Sequence, residues 1–313
     1  MKYLISSLML LVSLCGFAVA APIHQVVVFG DSLSDNGNLY EYMEHQLPMS
    51  PPYYEGRFTN GPVWIELLMD KLYPVNGQAH LVDYAFGGAG IALEEKADDG
   101  EFSLSNQIQT YLDANNQTAF EDSLYVVWIG ANNYFNLPDN PDEVVDAVIN
   151  GIRLNVENLI RHGAKQVMLL NIPNLSRVPA AIEYDAVKEL GYMSLEHNRR
   201  LKQLTQQLKT AYPEVTFIDY DVTVVMDDLI EHPAQYGFTN VVSTCSELED
   251  EPQSMKSLKH SLFLSTIQHQ GQVLDERCYG YLFFDLYHPT AHAHVIMADT
   301  IYELLKKMKL NFE

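Results

Sequence analysis

Basic residues are scarce in this chain of 313 residues: 19 Lys and Arg stand against 41 Asp and Glu, a formal net charge of −22. Phosphate binding needs dense Lys and Arg, so this balance argues against nucleic acid as a partner. It argues equally against simple electrostatic docking on anionic lipid, and leaves apolar contact with a membrane open. Cysteine is also rare, with three residues and no Cys-x-x-Cys spacing, which disfavours a zinc site and excludes a disulfide-dense miniprotein. Internal repeats and low-complexity linkers are missing, so nothing marks a boundary between domains. What remains is ordinary: 47% hydrophobic, 11% aromatic and 19% charged residues, a composition that excludes a disordered or collagen-like chain.

Residues 1–20 carry one positive charge (Lys2), the apolar run Leu8-Met9-Leu10-Leu11-Val12, and Ala18-Val19-Ala20 as an A-x-A cleavage site. They read as a secretory signal peptide cut after Ala20, implying a secreted protein, extracellular or periplasmic. A transmembrane anchor is not expected, because the apolar stretch is short and no stop-transfer segment follows. A lipoprotein signal at Cys15 is disfavoured by the bulky Leu14 before it. Cys15 leaves with the signal. Cys245 and Cys278 remain, and a lone pair in an exported chain reads as one disulfide.

Beyond the signal, short β-branched and apolar runs at 25–29, 81–84, 124–129, 167–170 and 215–218 suit strands buried on both faces of a parallel sheet. Between them, helical spacing predicts helices opening at Pro62 and over 104–112, 141–161 and 192–212, with a last one over 289–309. Five strands alternating with helices imply right-handed crossovers and a three-layer α/β/α sandwich with a mostly parallel sheet. The expected organisation is one domain, 21–313, with an insertion near 239–281 where the alternation stops. Ligands of such sheets bind beyond the carboxyl ends of the strands.

Three short blocks follow those ends, and a fourth precedes the last helix. Gly30-Asp31-Ser32-Leu33-Ser34 comes after the first strand. A serine at a strand-to-helix turn offers an exposed hydroxyl for attack and a main-chain N–H for an anion, but serine is equally a favoured helix cap. Asp285-Leu286-Tyr287-His288-Pro289 precedes the last helix; an imidazole oriented by a nearby carboxylate activates a serine, although the pair also suits a helix start. Tyr84-Ala85-Phe86-Gly87-Gly88 and Gly130-Ala131-Asn132-Asn133 follow the second and third strands. Their glycine N–H and asparagine amide could stabilise an oxyanion, and each also fits turn chemistry. His288, His292 and His294 form an H-x₃-H-x-H cluster, but His294 would leave the helical face shared by the other two, so no metal is expected.

Taken together, the blocks resemble those of the GDSL, or SGNH, hydrolase family, whose motif residues map onto Ser32, Gly88, Asn132 and His288. The resemblance spans nearly the whole chain after the signal and includes Gly56-Arg57-Phe58-Thr59-Asn60-Gly61-Pro62-Val63-Trp64, Asn171-Ile172-Pro173-Asn174-Leu175 and His197-Asn198-Arg199-Arg200-Leu201. It is strongest to the branch of secreted bacterial lysophospholipases A and glycerophospholipid–cholesterol acyltransferases. One departure is Asn133, where the family usually carries Asp. The resemblance implies a flavodoxin-like sandwich, no cofactor, and a serine esterase with Ser32, Asp285 and His288 as catalytic residues. Its oxyanion hole would comprise the N–H groups of Ser32 and Gly88 and the Asn132 amide. Implied substrates are lysophospholipids or phospholipids, with cholesterol as an alternative acyl acceptor to water. Carbohydrate or short-chain esters are one alternative, and a non-catalytic secreted binding protein is another.

Cys245 and Cys278 enclose a segment that begins Ser246-Glu247-Leu248-Glu249-Asp250-Glu251-Pro252. It reads as a tethered surface loop, or as a lid over an acyl-binding groove. A polar loop of this length is also a nicking site, which makes 246–277 a candidate target for an activating protease.

Overall fold

The computed structural model describes residues 22–93, 102–246 and 278–313; the expected signal peptide and residues 247–277 of the insertion lie outside them. The apolar runs form β1 (Gln25–Gly30), β2 (Leu81–Asp83), β3 (Ser123–Trp128), β4 (Gln166–Leu170) and β5 (Thr216–Tyr220). They make one sheet in the order β2-β1-β3-β4-β5, with every neighbouring pair parallel. The runs of β1, β3 and β4 are continuous because both faces are covered, whereas the edge strands β2 and β5 are only partly covered, β5 exposing Thr216 and Asp219. Along β1, Val27 and Phe29 enter one core while Val26 and Val28 enter the other.

Helices fill the two outer layers. On one face lie α2 (Trp64–Leu72) and the C-terminal α8 (Ala291–Lys307), which bury Trp64, Leu68, Met69, Ala298 and Ile301. On the other lie α3 (Leu104–Ala114), α4 (Pro141–Arg161) and α6 (Val187–Ala211), with Ile108, Val148, Ile152, Leu190 and Leu204 turned inward. Shorter helices are α1 (Asn38–Tyr42), α5 (Pro179–Glu183) and α7 (Val222–Glu231). The expected helix 141–161 has those bounds, whereas α6 begins five residues before its expected start. The sequence pattern missed α7, because Val222-Thr223-Val224-Val225 is β-branched and a poor helix former. The Asp221 carboxylate starts it by accepting the Val224 N–H.

The chain runs from β1 through α2 to β2, then through α3 on the opposite face to β3. That reversal puts a crevice beyond the carboxyl ends of β1 and β3, the usual ligand position in a sheet of this strand order. Two further strands, β6 (Asn240–Thr244) and β7 (Tyr281–Phe283), pair in parallel at the two ends of the insertion. Cys245 and Cys278 are joined by a disulfide beside them. No helix among the described residues is long and apolar enough to cross a membrane.

Candidate active site

Ser32 follows β1 by two residues, in a tight turn where the Asp31 carbonyl accepts the N–H groups of Ser34 and Asp35. The expected turn after the first strand is present, but the Ser32 N–H does not lie at a helix N-terminus. Helix α1 starts only at Asn38, and the Asp35 carboxylate caps it by accepting the N–H groups of Gly37, Asn38 and Leu39. Ser32 therefore caps nothing. Its side chain is buried, and the hydroxyl meets His288 Nε2 at 2.8 Å, across 256 residues of chain.

His288 Nδ1 lies 2.7 and 2.9 Å from the two carboxylate oxygens of Asp285. Asp285 also accepts the N–H groups of Tyr287 and His288 and the Tyr53 hydroxyl, the last at 2.8 Å. Burial alone would push this carboxyl up. The charge and hydrogen bond of His288, with the Tyr287 N–H and the Tyr53 hydroxyl, outweigh it and hold the group below its ordinary range. Asp285 is thus ionised and aimed at the imidazole, and His288 Nε2 faces the serine.

The glycine and asparagine blocks close in from the other strands. Gly88 has φ +75°, and a Cβ there would meet nothing within 4 Å, so backbone conformation and not crowding calls for glycine. Among the described residues, neither the Ser32 N–H nor the Gly88 N–H donates to another group. Asn132 Nδ2 donates to the Ala89 carbonyl at 2.8 Å, leaving its second hydrogen for a ligand in the cavity it lines. Asn133 pairs with the main chain of Ile91 in both directions, accepting its N–H and donating to its C=O. A carboxylate could only accept, which gives the departure to Asn133 a physical reason.

Beside Ser32 and His288 opens a cavity of about 830 Å³, part of it continuous with solvent. Its wall is mostly apolar, with Phe135, Leu175, Val178, Val225, Met226 and Leu229 among the lining residues. Asp31 and His294 line it too. Burial pushes the Asp31 carboxyl up to about 6, against the Leu33 N–H and the nearby His288. The three clustered histidines diverge. His292 Nε2 contacts the Tyr236 carbonyl, while buried His294 accepts the Trp64 N–H at Nδ1.

Sequence reasoning missed the residues that hold these blocks together. Tyr53 lies in a proline-rich loop that carries no periodic signal. Gln107 grips both main-chain groups of Gly30 at the end of β1. The block around Thr59 was visible without a role: Thr59 donates to the Pro289 carbonyl, Asn60 accepts the Ala291 N–H, and Trp64 Nε1 donates to Ser34 Oγ. That stretch buckles the His288 segment to the Ser32 segment.

Comparison with known proteins gives a match to the GDSL-like lipase/acylhydrolase family over residues 26–301. The chain is 27% identical to a phosphatidylcholine-sterol acyltransferase of Aeromonas hydrophila, covering 88% of each chain. It is 29% identical to the secreted effector protein SseJ of Salmonella typhimurium, over 87% of this chain and 61% of the effector. It is 24% identical to the thermolabile hemolysin of Vibrio parahaemolyticus, over 90% of this chain and 63% of the hemolysin.

Proposed function

Because the chain belongs to the GDSL-like lipase/acylhydrolase family, an ester-hydrolysing family, we propose that it cleaves the acyl ester of lysophospholipids and phospholipids through an acyl-enzyme on Ser32. The observation that carries this reading is the apolar cavity opening at the Ser32–His288 pair. Its lining is predominantly hydrophobic with a few polar groups at one end, the pattern of a site for an apolar ligand. Each methylene buried there contributes ~0.8 kcal/mol to binding. An acetylated sugar would instead bring hydroxyls to a wall with few partners for them, at a desolvation cost.

In the proposed reaction, His288 Nε2 takes the proton as Ser32 Oγ attacks the ester carbonyl. The imidazolium is stabilised by Asp285. The oxyanion is received by the N–H groups of Ser32 and Gly88 and the amide of Asn132. Collapse expels the alkoxide, which His288 protonates, leaving the acyl group on Ser32. Water then attacks with His288 again as base, and releases the fatty acid. A sterol hydroxyl in place of water gives acyl transfer, a second reading favoured by the likeness to a phosphatidylcholine-sterol acyltransferase. Export through residues 1–20, and a lid or processing role for 246–277, belong to the same proposal.

The test is a side-by-side assay of lysophospholipid, diacyl phospholipid and acetylated sugar, each with and without cholesterol, together with labelling by an organophosphorus ester. Lipid hydrolysis and labelling at Ser32, both lost in Ser32→Ala, are expected. Preference for the acetylated sugar would overturn the substrate assignment, and absence of Ser32 labelling would overturn the mechanism.

A further inference from the structure

The proposed oxyanion donor Asn132 stands on a short turn, and one side of that turn is held from below by α6. Gly130 has φ +119°, and a Cβ there would fall 2.8 Å from His197 Cε1 and 3.1 Å from Val148 Cγ1. His197 therefore packs directly against the main chain that leads into Asn132. Two residues beyond Asn132, the Tyr134 hydroxyl meets His197 Nδ1 at 2.8 Å, with the rings edge to face at 5.7 Å. Both side chains are fully buried. The turn's own main-chain bonds are few: the Asn133 N–H reaches the Gly130 carbonyl, and the Tyr134 N–H the Ala131 carbonyl.

An imidazole is a costly occupant of this position. Burial pushes His197 down to about 3, so the ring is neutral. Its Nε2 has no hydrogen-bond partner among the described residues. Leaving such a group buried and unpaired costs about 1–3 kcal/mol, which an apolar side chain of similar size would avoid. Stability alone does not explain a histidine here, whereas the bond to Tyr134 does. The opposite side of the turn is already fixed, by Asn132 on Ala89 and Asn133 on Ile91.

We propose that Tyr134 and His197 form a positioning pair that clamps the Gly130–Asn133 turn and so aims the Asn132 amide at the oxyanion, an inference that rests on the role proposed for Asn132. Neither residue touches substrate. Donors act only when held to within about 0.5 Å of the productive geometry, so a slack turn loses transition-state stabilisation and keeps substrate binding.

The experiment compares Tyr134→Phe, His197→Leu and His197→Asn, alone and combined with Asn132→Ala. Removal of an oxyanion donor lowers kcat about 10²–10³-fold, and the positioning variants are expected to cost about tenfold with KM unchanged. Affinity for a long-chain trifluoromethyl ketone, which forms the tetrahedral adduct with Ser32, should fall by the same factor, while affinity for the fatty-acid product stays constant. His197→Asn, which keeps a polar atom near the Nδ1 position, should restore most of the rate. In the Asn132→Ala background the further change Tyr134→Phe should be silent. Tyr134→Phe removes a single oxygen, so it reports even if His197→Leu fails to fold. A full independent loss from Tyr134→Phe on top of Asn132→Ala, or no loss from Tyr134→Phe alone, overturns the clamp and leaves the role of Asn132 intact. Near-wild-type turnover of Asn132→Ala overturns both.

Discussion

Tyr53 tethers Asp285, the carboxylate proposed to orient His288, to a distant part of the chain. Its hydroxyl donates to the Asp285 oxygen that also faces His288, from a loop more than two hundred residues earlier in the chain. The bond ties the carboxylate to Leu39, Leu47, Phe58 and Phe284, the small apolar cluster around Tyr53 and the disulfide. A hydrogen bond to a buried charge contributes about 1.5–3 kcal/mol, so Tyr53→Phe should lower kcat by at least tenfold, with KM little changed. Steady-state kinetics on a soluble ester decide it, and an unchanged kcat would show that the two backbone N–H groups suffice to orient Asp285. Asn133 makes a related point. The amide that replaces the family's usual carboxylate offers both a donor and an acceptor to Ile91, and it splices the loop after β2 to the turn after β3.

At the scale of elements, the far wall of the cavity is built by the segment after β4 and by α7. Asn171 accepts the Val222 N–H and donates to Asp221. Asn198 on α6 grips both main-chain groups of Ile172 and donates to Thr223. These bonds fix Leu175 and Val178 on one side and Val225, Met226 and Leu229 on the other. If acyl chains lie along this wall, filling it should shorten the chain accepted. Met226→Trp is expected to reduce kcat/KM for esters of about fourteen or more carbons by tenfold or more, since each excluded methylene forfeits ~0.8 kcal/mol. Butyrate esters should be hydrolysed as before. An equal loss at all chain lengths would place the acyl group elsewhere.

For the whole molecule, the buried titratable groups pull stability in opposite directions with pH. Burial pushes His197 and His294 down to about 3 from 6.5. The unfolded chain then binds more protons between those values, and stability falls as pH drops below about 6.5. Burial raises Asp31 and Asp35 to about 6 from 3.8, so the folded state holds more protons in that window and gains stability as pH falls through it. Near neutrality the histidines act first. His294→Gln should therefore lose less melting temperature between pH 7 and pH 6 than the unaltered protein does. Scanning calorimetry at the two values tests this, and parallel losses would remove His294 from the account.

Much was legible in the chain alone. The apolar runs determine the strands because a parallel sheet covered on both faces favours continuous apolar sequence, most fully in the central β1, β3 and β4 and less at the edges β2 and β5. Ser32, Gly88 and Asn132 stand out because they follow those strands, and Asp285 and His288 because they precede the last helix. Local pattern fails where local preference and tertiary contact disagree. Helix α7 overrides a β-branched start because Asp221 caps it and Asn171 anchors it. Of the two readings open for Ser32, the turn is the one realised, and the capping of α1 falls to Asp35. Tyr53, Gln107 and Tyr134 gave no usable signal, and His197 stood in a family-like stretch without a role, since each acts through a partner remote in sequence. The sequence by itself thus determined the layers and the candidate nucleophile, base and orienting carboxylate. Only the tertiary structure decided how they meet, because the Ser32–His288 bond spans 256 residues and depends on contacts that no window of sequence contains.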